Sequence, residues 1–211
     1  MERRRPDHRL QGDGPPPEGY PDRACRDGRD ACQDEGRLLS TPILTTERLI
    51  LRPQTVEDLE PAASMWADEE VTRHIGGQPR SRQDVWTTLL RAVGHWQLMG
   101  YGYWIVERRG SGEFLGEAGF ADQKRALPAE LVTGPEAGWA FTRAAWGQGI
   151  ATEAMRAALH WMNAAHAPAA THCIIDPGNI ASQKVAAKLG YMIAGETMLR
   201  GESVRVYRRG I

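Results

Sequence analysis

A glycine-rich turn that runs directly into a helical segment constrains this chain more than any other feature. The turn and helix start read Trp146-Gly147-Gln148-Gly149-Ile150-Ala151-Thr152-Glu153-Ala154, and apolar residues continue at helical spacing through Ala158 and Trp161. Two glycines let the backbone curl so that several N–H groups and the positive end of the helix dipole face one point. That arrangement suits a phosphate or pyrophosphate group. An ordinary loop before a helix shows the same short pattern, so the turn alone leaves both interpretations open.

The composition is that of one soluble globular domain, and it excludes several classes of function. The 211 residues carry a net charge of −1, with 41% hydrophobic and 25% charged residues. The near-neutral charge gives no electrostatic footprint for nucleic acid, and no run approaches the ~18 apolar residues of a membrane span. Cys25, Cys32 and Cys173 form no disulfide framework, which indicates a reducing cytoplasm. The histidines lack the paired spacing of a zinc site, so no metal is expected.

Residues 1–40 differ in composition from the rest of the chain. They are rich in Arg, Asp, Gly and Pro and contain few large apolar side chains. Such a segment cannot bury enough surface to offset the entropy of ordering it. We therefore expect a disordered N-terminal tail over residues 1–40 and one domain over residues 41–211.

The sequence of the domain predicts secondary-structure elements in the order strand, two helices, three strands, helix, strand, helix and two strands. Residues 48–53 have the pattern of a first strand that ends at a proline. Helix-start signals, with an acid three residues after the cap, follow at Thr55 and Ser81. Pro61 is expected to kink or shorten the first of these helices, and Gly100 to end the second.

In the second half of the chain, alternating apolar and polar residues, turn residues and helix-capping residues predict the remaining elements. They are a hairpin at 103–107 and 113–120, a strand at 136–141 that feeds the glycine turn, a short buried strand at 171–175, a helix capped by Asn179, and a final hairpin at 191–198 and 202–208. The loop between 121 and 135 is longer than a connection needs, so it is a candidate for function.

Four motifs lie in order along the domain. They are Thr46-Glu47-Arg48-Leu49-Ile50-Leu51-Arg52-Pro53, Phe114-Leu115-Gly116-Glu117-Ala118-Gly119, the turn at 146–154, and Asn179-Ile180-Ala181-Ser182-Gln183-Lys184-Val185-Ala186-Ala187-Lys188-Leu189-Gly190-Tyr191. Each is modest alone, but four in this order with compatible spacing are specific. The set resembles the GNAT superfamily of N-acetyltransferases, most closely the branch with the ribosomal-protein alanine acetyltransferases. The resemblance covers nearly the whole domain.

The resemblance implies an α/β GNAT fold, with a mixed, mostly antiparallel central sheet of about seven strands and flanking helices. It implies acetyl-CoA as co-substrate, with its pyrophosphate on the glycine turn, and backbone N–H groups around 139–141 that polarise the acetyl carbonyl. The residues implied for coenzyme binding are Trp139, Phe141, Trp146, Gly147, Gln148, Gly149, Ile150, Ala151, Thr152, Asn179 and Ser182.

The chain departs from the family pattern at two positions. Trp146 stands where the loop usually has Gln or Arg, but backbone N–H groups make most of the phosphate contacts, so this change need not abolish binding. Ala186 stands where many relatives carry a tyrosine credited with protonating the leaving thiolate. In the related branch a serine at the Ser182 position is credited with that role. The alternative for Ser182 is a first-turn residue that bonds local backbone. Asn179 is expected to cap its helix, and the resemblance implies that it also contacts the pantetheine arm.

Acyl transfer from a thioester needs an unprotonated amine, a polarised carbonyl and a stabilised thiolate. A lysine amine with a pKa of ~10.4 is almost fully protonated at neutral pH, whereas an α-amine near about 7.7–8.0 loses its proton far more readily. A carboxylate or an ordered water can take that proton. Glu136 opens the strand that leads to the turn, and Glu117 on the neighbouring strand is the alternative. A solvated acid at a strand edge is an equally good interpretation of each.

These observations predict a cytoplasmic enzyme that transfers an acetyl group from acetyl-CoA to a primary amine on a small molecule or a protein N-terminus. Glu136 and Ser182 are the expected catalytic residues. The alternative is a non-catalytic module that keeps the fold and senses acyl-CoA, which Ala186 favours. A dinucleotide-binding oxidoreductase fails because Thr152 replaces the third glycine and no acid lies near residues 167–170. The sequence leaves a homodimer open and does not identify the acceptor.

Overall fold

The computed structural model describes residues 40–210, so the predicted tail lies outside the described residues except for its last residue. The elements in chain order are β1 (Leu44–Thr45), β2 (Leu49–Arg52), a 3₁₀ turn (Val56–Asp58), α1 (Leu59–Ala67), α2 (Glu69–Thr72), α3 (Arg82–Met99), β3 (Tyr103–Arg108), β4 (Phe114–Ala121), β5 (Glu136–Phe141), a 3₁₀ turn (Arg143–Ala145), α4 (Ile150–His166), β6 (Ala170–Ile175), α5 (Ile180–Lys188), β7 (Met192–Leu199) and β8 (Glu202–Gly210). No helix in this range is long and apolar enough to cross a membrane.

Eight strands form one mixed sheet in the order β1-β2-β3-β4-β5-β6-β8-β7. Every neighbouring pair is antiparallel except β5 and β6, which run parallel. The predicted α/β fold with a mostly antiparallel sheet is therefore confirmed. The strand beyond the expected seven is β1, whose two residues are too few to produce a periodic pattern.

The parallel strands β5 and β6 meet at a single register position, Glu136 with His172. The His172 N–H donates to the Pro135 carbonyl at 3.1 Å just before that position. Beyond it no further pairing joins the two strands within residues 40–210. The sheet therefore opens into a gap toward the carboxyl ends of β5 and β6, and the glycine turn follows the end of β5.

The helix ends follow the capping signals in the sequence. The Thr55 N–H donates to the Asp58 carboxylate at 2.7 Å, and the Ser81 hydroxyl accepts from the Asp84 N–H at 3.2 Å. Gly100 ends α3 with a φ of 72°, as expected. Pro61 lies in the first turn of α1, where a missing N–H costs nothing because that N–H has no partner within the helix.

The core consists of two apolar clusters on opposite faces of the sheet. The larger packs the sheet against α4, whose Met155 and Met162 are fully buried, each contributing about 1.5–3 kcal/mol. The smaller lies beneath α1 and α3. Alternate residues of β5 serve the two clusters: Ala137 and Phe141 lie in the larger, and Ala140 in the smaller.

Candidate active site

A cleft of about 650 Å³ lies over β4 and β5 on the α1–α3 side and continues into the gap between β5 and β6. Tyr103 on β3 lies opposite Gly119 on β4, and Gly119 lies opposite Gly138 on β5. Glu117 is two residues before Gly119, so all four positions share one face of the sheet. The Tyr103 side chain lies directly over Gly138, and a Cβ atom at position 138 would collide with the tyrosine hydroxyl. Only glycine at 138 leaves room for this tyrosine in the floor of the cleft.

Backbone N–H groups of β5 point into the gap. The Thr142 N–H donates to the Leu115 carbonyl at 2.8 Å, which fixes the alternation of donors between β4 and the open side. By that alternation the N–H groups of Ala137, Trp139 and Phe141 turn away from β4. Ala137 lies beside the register position shared with β6, so Trp139 and Phe141 supply the N–H groups that face the gap. A carbonyl placed there meets donors already held in position by the sheet.

The glycine turn at the end of β5 has the backbone that its sequence requires. Gly147 and Gly149 have φ values of 71° and 77°, a left-handed region that strains other residues. Gly149 is the N-cap of α4, and its carbonyl accepts the first intrahelical bond from Glu153 at 3.0 Å. The N–H groups of residues 150–152 therefore have no acceptor within the helix. They point outward at the positive end of a 17-residue helix.

The first sequence motif braces this turn. The Arg48 guanidinium donates to the Gln148 carbonyl at 3.0 Å and to the Glu153 carboxylate at 2.7 Å. The Thr46 hydroxyl donates to the same carboxylate at 2.6 Å. On the other side, the Trp146 indole N–H donates to the Phe141 carbonyl at 2.9 Å. The motifs that are far apart in sequence thus form one scaffold around the turn.

Glu136, the first candidate for the base, lies in the cleft with its carboxylate already paired. Arg125, from the long loop after β4, donates to both carboxylate oxygens at 2.8 and 3.0 Å, and His172 Nε2 lies 3.8 Å away. Burial opposes ionisation of Glu136, but the nearby His172 ring and the hydrogen bonds from Arg125 outweigh it and lower its pKa. A carboxylate held in its ionised form in this way is a weak proton acceptor.

Glu117, the second candidate, lies in the same cleft without an ion-pair partner among residues 40–210. Burial raises its pKa, and the nearby Arg80 guanidinium, the Trp66 indole N–H and Arg91 offset only part of that effect. A glutamate with a raised pKa is better matched to accepting a proton near neutral pH.

The wall opposite α1 and α3 is formed by β6 and the start of α5. Asn179 caps α5, as predicted, because its side-chain oxygen accepts from the Ser182 N–H at 3.0 Å. The Ser182 hydroxyl lines the cleft and makes no hydrogen bond to any residue between 40 and 210. Ala186 is fully buried in the core one turn later. The hydroxyl of Ser182 therefore remains free to bond a ligand.

The remaining predicted coenzyme residues divide into three groups. Trp139, like Asn179 and Ser182, lines the cleft. Phe141, Ile150 and Thr152 are buried, so only their backbone is available, and Ala151 packs beside the core. Gln148 turns back to donate to the Ala144 carbonyl at 2.5 Å.

Within residues 40–210 no three His, Cys, Asp or Glu side chains gather as metal ligands.

Several cleft residues have no signal in the sequence. Arg80 stacks on Trp66, with its guanidinium carbon 3.6 Å from the ring centre, and Arg91 lies nearby on α3. His74 Nδ1 lies 3.1 Å from the Asp176 carboxylate, which ties the segment after α2 to the end of β6. These pairs join segments that are distant in the chain, so no local pattern predicts them. The long loop after β4, a functional candidate by its length, supplies Arg125 to the cleft.

Comparisons with known proteins agree with this geometry. Residues 48–192 match the family model described as "Acetyltransferase (GNAT) domain". "Uncharacterized protein YkkB" of Bacillus subtilis (strain 168) is 33% identical over 174 residues, which cover 79% of this chain and 94% of that protein. The acetyltransferase structure from Agrobacterium tumefaciens str. C58 is 26% identical with a TM-score of 0.70, and the match covers 82% of this chain and 96% of that one.

The fold is also similar to that of RimL, a ribosomal L7/L12 alpha-N-protein acetyltransferase solved in complex with coenzyme A. The TM-score is 0.66 over 81% of this chain and 98% of that one, at 16% sequence identity. At that identity the likeness shows a shared fold and nothing finer.

Proposed function

The chain belongs to the acetyltransferase (GNAT) domain family, and from that premise we propose that it transfers the acetyl group of acetyl-CoA to a primary amine. The observation that carries the proposal is the gap between β5 and β6, with backbone donors along β5 and the glycine turn at its end. The RimL structure, which has this fold, contains coenzyme A. That likeness supports the same co-substrate here.

In the proposed reaction the coenzyme supplies the acetyl group activated as a thioester. The N–H groups of the turn and of the first turn of α4 hold the pyrophosphate. The N–H groups of Trp139 and Phe141 bond the acetyl oxygen and stabilise the negative charge that develops on it. Glu117 takes a proton from the amine as the N–C bond forms. Ser182 gives its proton to the sulfur as the C–S bond breaks, and both groups regain their starting states through solvent.

Glu117 is assigned as the base because its carboxylate is unpaired and its pKa is raised, whereas Glu136 is paired and its pKa is lowered. The role proposed for Glu136 is positioning. Its two hydrogen bonds to Arg125 fasten the loop after β4 over the cleft. This assignment exchanges the order of the two candidates that the sequence offered.

The second candidate function is a module that binds acyl-CoA without catalysis, favoured by Ala186 in place of the usual tyrosine. The free hydroxyl of Ser182, one turn earlier on the same helix, supports catalysis instead.

Cys173 is a free, buried thiol, which is consistent with the reducing cytoplasm proposed as the location.

Acetyl-CoA binding measured by calorimetry, together with thiol release in the presence of amines, separates the two functions. The amines are a peptide with a free N-terminus, an aminoglycoside, a polyamine and an amino acid mixture. We expect binding and amine-dependent thiol release with at least one class. Binding without release for all four classes would support the sensing module.

A further inference from the structure

Most charged side chains that line the cleft already have a partner. The pairs are Glu136 with Arg125, Asp176 with His74, Asp122 with Lys124, and Asp84 with the Ser81 hydroxyl. Beside Arg200 at the rim and Asp84 at the exposed start of α3, the cleft-lining charges left without an ion pair within residues 40–210 are Glu117, Arg80 and Arg91. These three lie close enough to one another to interact electrostatically. Arg80 also interacts with Asp84, whose carboxylate accepts from the Ser81 hydroxyl, so neither arginine has a carboxylate at ion-pair distance within residues 40–210.

Arg80 is held in a fixed orientation without a carboxylate. Its guanidinium stacks on the Trp66 ring at 3.6 Å, and its backbone N–H donates to the Trp66 carbonyl at 2.9 Å. A stack of this kind offsets only part of the cost of taking a cation out of water. The guanidinium N–H donors that the ring does not satisfy remain available at the cleft.

Trp66 adds a second buried donor, which lies near the Glu117 carboxylate without forming a hydrogen bond of normal geometry to it. Its side chain is 3% exposed, and no atom within residues 40–210 accepts a well-formed hydrogen bond from its indole N–H. A buried N–H without a well-formed hydrogen bond is unfavourable, because it has lost its bond to water. Because Trp66 lines the cleft beside Arg80, a ligand with acceptor oxygens would satisfy both groups.

We propose that the acceptor is a zwitterion, a primary amine whose molecule also carries a carboxylate, as a free amino acid does. Its amine lies at Glu117, and its carboxylate lies at Arg80 and Arg91. This placement gives Glu117 a cationic partner and the two arginines a shared anionic partner, and a guanidinium binds a carboxylate through two parallel hydrogen bonds. The inference rests on the proposed acetyl transfer and narrows its acceptor. It disfavours polyamines, which bring only positive charge to the two arginines.

Matched acceptors test the carboxylate. Alanine, phenylalanine, glutamate and lysine, each beside its α-amide, are titrated by calorimetry into the protein loaded with coenzyme A. We expect at least one acid to bind at least tenfold more tightly than its amide. In Arg80→Gln and Arg91→Gln that preference should fall at least fivefold, with amide affinity within about threefold of wild type. Comparing acid with amide inside each variant removes any general effect on folding, which a thermal melt checks separately.

Arg108→Gln is the matched control, because Arg108 pairs with Glu113 at the β3–β4 hairpin and does not line the cleft. It should keep the wild-type preference. Equal affinity for acid and amide, no binding of any acid, or a preference that survives in both cleft variants would overturn the proposal.

Thiol release from acetyl-CoA in parallel samples keeps the two proposals apart. Carboxylate-selective binding without release from any amine would overturn acetyl transfer while supporting the carboxylate site. Release at equal rates from acids and amides, with equal affinities, would overturn the carboxylate site while acetyl transfer stands.

Discussion

Glu117 and Glu136 have the same side chain in one cleft, and their pKa values shift in opposite directions. Burial acts on both in the same sense. The difference comes from His172 on β6 and from Arg125, which reaches Glu136 from the loop after β4 and leaves Glu117 unpaired. Both glutamates can be placed on strands from the sequence, but their partners cannot, because a pairing across the fold leaves no local pattern. The identity of the base therefore depends on side-chain contacts that only the folded chain brings together.

The opposite pKa shifts predict opposite effects on stability. Because the folded-state pKa of Glu117 is raised, its contribution to stability falls as pH rises from the unfolded value of about 4.5 through the folded value. Glu117→Gln should therefore melt at a higher temperature than wild type at pH 8 and lose that advantage near pH 4. Glu136 has a lowered pKa, so its contribution is present above the unfolded value and disappears as pH falls through the folded value.

Glu136→Gln should accordingly melt several degrees below wild type at pH 8, since about 1 kcal/mol corresponds to ~2–4 °C for a domain of this size. The measurement is the melting temperature of the three proteins between pH 4 and pH 8. Changes in melting temperature of the same sign for both variants at pH 8 would contradict the environments assigned to the two glutamates.

Ser182→Ala tests how the leaving thiolate is protonated. The hydroxyl is free and the neighbouring Ala186 cannot donate, so turnover should fall by about 10²–10⁴-fold. Acetyl-CoA affinity should change little, because the bond forms mainly in the transition state. Steady-state kinetics beside calorimetry give both quantities, and Ser203→Ala, exposed on β8, is the control. Turnover within threefold of wild type would remove Ser182 from the catalytic residues.

Among the elements, the turn between β5 and α4 is the one proposed to bind the pyrophosphate of acetyl-CoA. Its glycines hold φ values that other residues adopt only with strain of about 1–3 kcal/mol. Gly149→Val should therefore weaken acetyl-CoA binding at least tenfold by calorimetry. Gly110→Val is a matched control, since Gly110 has a φ of 92° in the β3–β4 turn with open space around it. It should lose stability and keep wild-type affinity. Equal affinity of folded Gly149→Val and wild type would refute the assignment of the turn.

Element boundaries are largely predictable because their signals are local. Alternation predicts strand β5 at 136–141, and side chains that bond backbone three residues on predict the caps at Ser81 and Asn179. The opening between β5 and β6 is not predictable from the residues themselves. It depends on how far two strands that are distant in the chain stay paired. The stack of Arg80 on Trp66 arises in the same way, from packing between α1 and the start of α3.

On the scale of the whole molecule, one sheet positions every part of the site. Strands β4 and β5 carry Glu117 and the backbone donors, and β6 leads to the cap of α5. Arg48 on the turn between β1 and β2 braces the glycine turn through Glu153, 105 residues away. The catalytic elements are thus held by the folded core rather than by each other.

Residues 1–39, which lie outside the described range, are predicted to be independent of the domain. Their composition lacks a core-forming pattern, so deleting them should leave the melting temperature and acetyl-CoA affinity unchanged. A melt and a calorimetric titration of the shortened chain check this. A drop of several degrees in the melting temperature would show that the segment packs onto the domain.

Transfer of a deuterium-labelled acetyl group from acetyl-CoA tests the proposed activity most directly. Wild type and Glu117→Gln are incubated with the amine acceptors, and mass spectrometry follows the label on the amine nitrogen. We predict labelled product with wild type and an initial rate lower by about 10²–10⁴-fold with Glu117→Gln, at similar acetyl-CoA affinity. Acetyl-CoA binding with no label transferred to any amine would contradict the enzymatic function, and equal rates for the two proteins would contradict Glu117 as the base.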